Sequence, residues 1–238
     1  MFSETAQYYD LIYDQFRDYE KDVARIAAFV HRYAPDARSV LDVGCGTGRH
    51  AQGLVRSFGY QVDGVDIEPQ FVEIAQRRCP EGRFTVADMA DFELSGRYDL
   101  ILCLFSSIGY VKTLPRFAGA AGCLANHLAP GGIALVEPWF APDVFFPGRV
   151  HHIVAETDDL TIVRMNCSKV ENGVSILNFH YLLGGEDGVN HLQETHELGL
   201  FTDEEMREGF AAGGLKVEEY DSEGMVGRGL YVLRREGG

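Results

Sequence analysis

Basic residues are scarce in this chain. Only 21 Lys and Arg stand against 36 Asp and Glu, a formal charge of −15 over 238 residues. Such a surface lacks the cationic footprint of a general nucleic-acid or anionic-membrane binder, and neither partner is expected. An anionic small molecule stays open, since it needs only a few local cations. Cysteines are few: Cys45, Cys79, Cys103, Cys123 and Cys167 are odd in number and never spaced C-x-x-C. That argues against a disulfide framework or a thiolate zinc site. No apolar run approaches the ~18 residues of a membrane span. The opening MFSETAQYYD has neither the basic nor the apolar region of a secretory signal. The chain therefore reads as a reduced, cytoplasmic protein. His151, His152, His191 and His196 sit at strand-like spacing without a third convincing ligand, so no metal is expected.

What is present alternates. Tyr19 to Tyr33 places Tyr19, Val23, Ile26, Ala27 and Val30 on one helical face, with Pro35 beyond it. Apolar runs at Ser39 to Val43, Tyr60 to Ile67, Arg83 to Asp88, Tyr98 to Phe105 and Leu128 to Trp139 read as strands separated by helical segments. Strands apolar on both faces that alternate with helices predict a parallel sheet covered on both sides, a doubly wound α/β domain. From His151 to Phe201 the pattern is β-rich with turns such as Asn172-Gly173, which predicts an inserted antiparallel subdomain. The expected division is a core of residues 1–138 and 197–238 around an insert of 139–196.

The stretch SVLDVGCGTGRHAQGL, Ser39 to Leu54, runs from a strand through alternating glycines into a helix. Glycines let a ligand approach the backbone, and the helix start offers free N–H groups. Those features suit a pyrophosphate or an amino-acid carboxylate equally. Asp42 separates the two: a carboxylate beside the loop repels a pyrophosphate but suits a cofactor that carries an ammonium. The second strand ends at Asp66-Ile67, placed to accept hydrogen bonds from ribose hydroxyls. The third ends at Asp88-Met89, a carboxylate for an adenine amine and an apolar side chain for its ring. With Gly44 and Gly46, these residues describe a site for S-adenosylmethionine (SAM), with S-adenosylhomocysteine as product. They fit NAD poorly, so an NAD-dependent oxidoreductase is a distant alternative, as is a non-catalytic SAM-binding module.

The motifs LDVGCGTG, GVDIEPQFVEIA, ADMADF, YDLILCLFSSIGY and LAPGGIALVEPW resemble those of class I SAM-dependent methyltransferases in their order. The segments YYDLIY, FSSIGY, VEPWF, ETHELGLF and GRGLYV extend the likeness over nearly the whole chain. Together they resemble the N,N-dimethyltransferases of TDP-linked 3-amino-deoxysugars from macrolide sugar pathways. The resemblance implies a seven-stranded core, a β-insert and SAM as methyl donor. One departure is Trp139-Phe140, where those enzymes often carry paired tryptophans. The acceptor implied is a nucleotide-linked amino sugar, with another small amine or hydroxyl compound as the alternative. Within that frame Tyr9 and Tyr19 are expected to close over the site, Tyr110 to position the amine, and Leu104 to meet the methionine portion through its backbone. Ser106 or Ser107 and Trp139 are expected to contact the acceptor, and His196 to serve as a substrate contact or base. Arg228, between two glycines, suits a diphosphate. A homodimer built through the insert is also plausible on this reading.

Overall fold

A computed structural model describes residues 5–237. The chain begins with a 3-10 turn, Ala6–Tyr8, and the short helix α1, Tyr9–Tyr13. The alternating core follows: α2 (Tyr19–Tyr33), β1 (Ser39–Val43), α3 (Arg49–Phe58), β2 (Gln61–Asp66), α4 (Pro69–Arg78), β3 (Phe84–Val86), β4 (Tyr98–Cys103), α5 (Leu114–His127) and β5 (Leu128–Val136). Local chemistry sets these boundaries. The Asp18 carboxylate caps α2 by accepting the Lys21 N–H at 2.9 Å. Pro69 opens α4 at a position where its missing N–H costs nothing. Gly48 and Gly59 bracket α3 with left-handed backbone.

Seven strands form one sheet in the order β3-β2-β1-β4-β5-β11-β10, where β10 is Leu215–Asp221 and β11 Leu230–Arg235. Neighbours from β3 to β5 pair in parallel, and β11 runs antiparallel to both β5 and β10. The order reverses between β1 and β4, which opens a crevice beyond their carboxyl ends. A core lies on each face of the sheet. One is built around Phe117, Leu124, Met206 and Phe210 under α5 and α6 (Asp203–Ala212). The other is built around Ile26, Val30, Leu54 and Val72 under α2, α3 and α4. Each fully buried Leu or Phe contributes about 1.5–3 kcal/mol, so the crevice stands on a rigid platform.

Four antiparallel strands, β6 (Val150–Glu156), β7 (Thr161–Glu171), β8 (Val174–Gly185) and β9 (Gly188–Gly199), make a separate sheet. This sheet begins eleven residues after 139 and ends three after 196; residues 140–149 form a loop without strands. A third apolar cluster joins the insert to α1 and the core through Ile12, Tyr13, Phe71, Phe179 and Tyr181. The N-terminal segment is thereby fixed between the two sheets.

The strands β2 to β5 are all shorter than their apolar runs, and β4 and β3 show why. β4 stops at Cys103 because Phe105 and Ser106 take positive φ values of 55° and 61°. That turn is held by Phe105 N–H donating to Glu137 (2.7 Å) and Ser106 Oγ donating to the Pro138 carbonyl (2.7 Å). β3 stops at Val86, and Asp88 instead folds a tight turn by accepting the Ala90 N–H at 2.9 Å.

Candidate active site

At the carboxyl ends of β1, β2, β3 and β4 lies a cleft of about 790 Å³. Gly44, Gly46, Asp66, Ile67, Asp88, Met89, Ser107, Tyr9 and Tyr110 all line it. Gly44 has φ +72°, and a Cβ there would sit 2.7 Å from Cβ of Ser107, so neither its conformation nor its contact admits another side chain. The Gly46 N–H donates to Asp66 Oδ2 at 2.8 Å, and the Glu68 N–H to Oδ1 at 2.9 Å. Burial raises the Asp66 carboxyl above its usual range, against the pull of those two hydrogen bonds. Asp88 is different. Burial would raise it, but the Ala90 N–H and the paired Arg116 guanidinium, at 2.9 and 2.8 Å, hold it low. Arg116 thus already engages both oxygens of the carboxylate expected to meet an exocyclic amine.

Asp42 lies near the end of β1, 2% exposed and outside the cleft wall. Its Oδ2 has no hydrogen-bond partner among the described residues. Burial pushes its carboxyl up to about 6, with His50 opposing and Asp66 adding to the shift.

A second, larger cleft of about 1470 Å³ opens between the core and the inner face of the insert. Trp139, His196 and Arg228 line it, together with Arg149, Arg164, Asn166 and Ser168. Among the described residues no Asp or Glu lines it. Phe105 and Tyr110 line both clefts, and mark where they meet. Arg228 lies 3.4 Å from Glu137 and over the rings of Trp139 (5.4 Å) and Phe140 (5.6 Å). Burial lowers its guanidinium's affinity for the proton, and its Nε has no hydrogen-bond partner among the described residues. Arg164 donates to the Tyr13 hydroxyl at 3.0 Å and packs over Phe179 at 4.6 Å, with its Nε likewise unpartnered.

The methyltransferase-domain family model matches residues 40–132. A dTDP-3-amino-3,6-dideoxy-alpha-D-glucopyranose N,N-dimethyltransferase of Streptomyces fradiae is 39% identical, over 96% of this chain and 90% of its own length. A dTDP-3-amino-3,4,6-trideoxy-alpha-D-glucopyranose N,N-dimethyltransferase of Streptomyces venezuelae is 35% identical, over 95% and 96%. The crystal structure of Streptomyces venezuelae DesVI superposes with a TM-score of 0.91 at 35% identity, over 98% of both chains. The chain belongs to the TDP-amino-sugar N,N-dimethyltransferases. It is a SAM-dependent methyltransferase, as the SAM-bound amino pentose methyltransferase CalS10 from Micromonospora echinaspora also illustrates (TM-score 0.86, 31% identity, 95% and 96% coverage). The seven-stranded, mostly parallel sheet and the antiparallel insert expected from the sequence are both present.

The residues of this methyltransferase fit SAM. The unpartnered Asp42 Oδ2 supplies a buried negative charge behind the glycine turn, and Asp66 faces the cleft with lone pairs to spare. Met89 adds an apolar wall.

Five expected residues, Leu104, Ser106, Ser107, Tyr19 and Asp42, do not line the cleft anticipated for them. Leu104 is 3% exposed and packs in the core, its carbonyl accepting the Ser107 N–H at 3.1 Å. Ser106 is fully buried, because its hydroxyl is used by the Pro138 carbonyl; Ser107 is the serine that reaches a cleft, and it is the first. Tyr19 lines neither cleft, since its ring packs on His50 (5.1 Å) under Arg49 (5.0 Å). Asp42 stands behind the cleft wall. Sequence reasoning missed Phe105, Arg164, Asn166 and Ser168. The last three recur at every second residue of TIVRMNCS, a polar stripe on the inner face of β7. That period was readable, but which face turned inward was not.

Proposed function

We propose that this enzyme methylates the amino group of a dTDP-linked amino-deoxysugar. One observation carries the reading: two clefts of opposite character meet at Tyr110 and Phe105. The first presents Asp66 and Asp88, suited to a cationic, hydroxyl-bearing cofactor. The second presents Arg149, Arg164 and Arg228 with no carboxylate among the described residues, in a protein of net charge −15. Three guanidinium groups beside aromatic rings suit a sugar joined to a nucleoside diphosphate, whose charge they would meet and whose rings they would flank. Bound SAM supplies an electrophilic methyl on a sulfonium. The chain's own contribution is alignment and the exclusion of water. Phe105 and Tyr110 hold the junction, Tyr9 closes the cofactor side by packing on Phe71 (4.9 Å), and Arg228 and Trp139 anchor the acceptor.

The test is turnover of labelled SAM with dTDP-3-amino and dTDP-4-amino sugars beside a panel of simple amines and hydroxyl compounds. Methylation of nucleotide-free amines alone would overturn the acceptor assignment.

A homodimer through the insert is part of the proposal. The outer face of the four-stranded sheet carries Val150, Val154, Met165, Leu182 and Val189, all at least 45% exposed. A second copy of this chain would cover that row, and sedimentation of wild type against a Val189→Lys, Leu182→Lys variant tests it. A reducing, cytoplasmic setting is supported by five cysteines that are all free thiols.

A further inference from the structure

From the Tyr110 hydroxyl, where the clefts meet, a file of hydrogen-bonding groups runs through His196, which lines the second cleft, along the inner face of the insert. Tyr110 Oη lies 2.8 Å from Nδ1 of His196. His196 is 1% exposed, and its Nε2 lies 3.6 Å from Oε2 of Glu194 on the same face of β9. Glu194 is held from its far side by Thr5, whose hydroxyl donates to Oε2 (2.8 Å) and whose N–H donates to Oε1 (3.2 Å). A phenol that donates to Nδ1 leaves the imidazole proton on Nε2, facing the carboxylate. The order of groups is therefore hydroxyl, imidazole, carboxylate, starting where the two clefts join.

We propose that Tyr110, His196 and Glu194 form a proton relay that withdraws one proton from the acceptor's ammonium before methyl transfer. The proposal rests on the amino-sugar reading above and deepens it. An amine of ordinary basicity, with a pKa between about 8 and about 10, is largely protonated at neutral pH and offers no lone pair. In the relay an N–H bond of the ammonium breaks and its electron pair stays on nitrogen. That proton joins Tyr110 Oη as the phenolic proton moves to Nδ1 of His196. The result is a neutral amine, an intact phenol, and an imidazolium beside the Glu194 carboxylate. Tyr110 touches the substrate; His196 and Glu194 act through it.

The surroundings suit each group to its part. Burial pushes the His196 imidazole below its usual value although Glu194 pulls it upward, and Arg164 on β7 adds to the lowering. The resting ring is neutral and able to accept. Burial also raises the Tyr110 phenol well above its usual value, and Tyr13 on α1, Tyr181 on β8, Asp66 at the end of β2 and Glu194 reinforce this. The phenol therefore passes protons on and does not rest as a phenolate.

The test is a pH profile of kcat for wild type, Tyr110→Phe and Glu194→Gln, using dTDP-3-amino sugar and labelled SAM. At pH 7 each variant is expected to lose ~10–100-fold in kcat, the range of general acid–base assistance. KM for the acceptor and Kd for SAM should stay within about threefold, since neither variant removes a cation from the clefts. About one pH unit above the acceptor amine's own pKa, where the free amine is largely neutral without help, the loss should shrink below about threefold. A loss of equal size at every pH would show mere packing and overturn the relay. Should Glu194→Gln fail to fold, Tyr110→Phe carries the same reading, because it leaves the contacts of Thr5 with Glu194 in place. If wild type methylates only nucleotide-free amines, the substrate reading fails, and the same profiles on those amines still judge the relay. Imidazole nitrogen NMR of His196 tests the relay independently of turnover: a neutral ring protonated at Nε2 supports it, and one protonated at Nδ1 overturns it.

Discussion

The carboxylate of Glu137, fully buried at the end of β5, stands between two guanidinium groups: Arg228 at 3.4 Å and Arg17 at 3.6 Å. Arg17 is itself paired with Asp22 at 2.5 Å, so Glu137 is the anchor that keeps Arg228 lodged among Phe105, Trp139 and Phe140. One carboxylate shared by two cations leaves Arg228 partly uncompensated, and its Nε has no hydrogen-bond partner among the described residues. On the acceptor reading proposed above, the diphosphate of an incoming substrate would complete that balance.

Arg228→Ala should therefore raise KM for a dTDP-amino sugar by ~10–100-fold, the worth of a charge-assisted hydrogen bond of about 1.5–3 kcal/mol. Kd for SAM, measured by titration calorimetry, should change less than twofold. Arg228→Lys should recover only part of the loss, since an ammonium cannot grip a phosphate bidentately or stack on the rings. Equal losses for both ligands would contradict the clamp.

Asp42 sets the pH response of the free protein. Its folded-state carboxyl titrates near 6, above an unfolded value near 3.8. The folded form holds the extra proton between those values, so the contribution of Asp42 to stability falls as pH rises from about 4 to about 6 and is level above. Two pH-unit steps correspond to roughly 3 kcal/mol. Asp42→Asn should remove this slope, leaving the ligand-free variant more stable than wild type in urea at pH 7.5 and nearly equal at pH 4. The same variant should bind SAM more weakly at pH 7.5. A variant that gained no stability there would show that the Asp42 carboxylate finds a favourable environment after all.

The parts of the site that repeat a period or end a strand were legible in the sequence. Gly44, Gly46, Asp66, Ile67, Asp88 and Met89 stand at or just beyond the ends of strands, and strand order carries them to one edge of the sheet. What depended on tertiary packing was not legible. Ser106 and Ser107 are neighbours in the same motif, yet the reversal at Phe105 sends one hydroxyl into the core and the other to the cleft. Tyr19 and Tyr9 look alike as aromatic residues of the N-terminal segment, and only the packing of α3 decides that Tyr19 covers His50. Arg116 was passed over because its bond to Asp88 joins the start of α5 to the turn after β3, a contact with no local signal.

Gly44→Ala is expected to abolish SAM binding. An alanine at φ +72° costs on the order of 1–2 kcal/mol in backbone conformation alone. Its methyl would also overlap Ser107 Cβ and Oγ, at 2.7 and 2.8 Å. Combining it with Ser107→Gly relieves the overlap but not the backbone cost, so the double variant should recover part of the affinity in calorimetry. Full recovery would mean that the left-handed turn matters less than the space.

The N-terminal segment is fastened to the cofactor loop by Asp10. Its Oδ1 accepts the Thr47 hydroxyl at 2.6 Å, and its other oxygen accepts from Arg78, which also donates to the Thr47 carbonyl at 2.7 Å. Asp14 pairs with Arg49 one helical turn further along. These bonds tie α1, and with it Tyr9, to the glycine turn from outside the cleft. Asp10→Ala leaves every cleft-lining residue in place but loosens the fastening. It should weaken SAM several-fold, mainly through faster dissociation, because α1 no longer holds the exit closed. Stopped-flow displacement reads that rate directly. Proteolysis should meanwhile nick residues 14–18 in the variant before the core is touched, and SAM should slow the nicking. An unchanged dissociation rate with intact binding would mean that the apolar cluster of Ile12, Tyr13 and Phe71 holds the segment without the ion pairs.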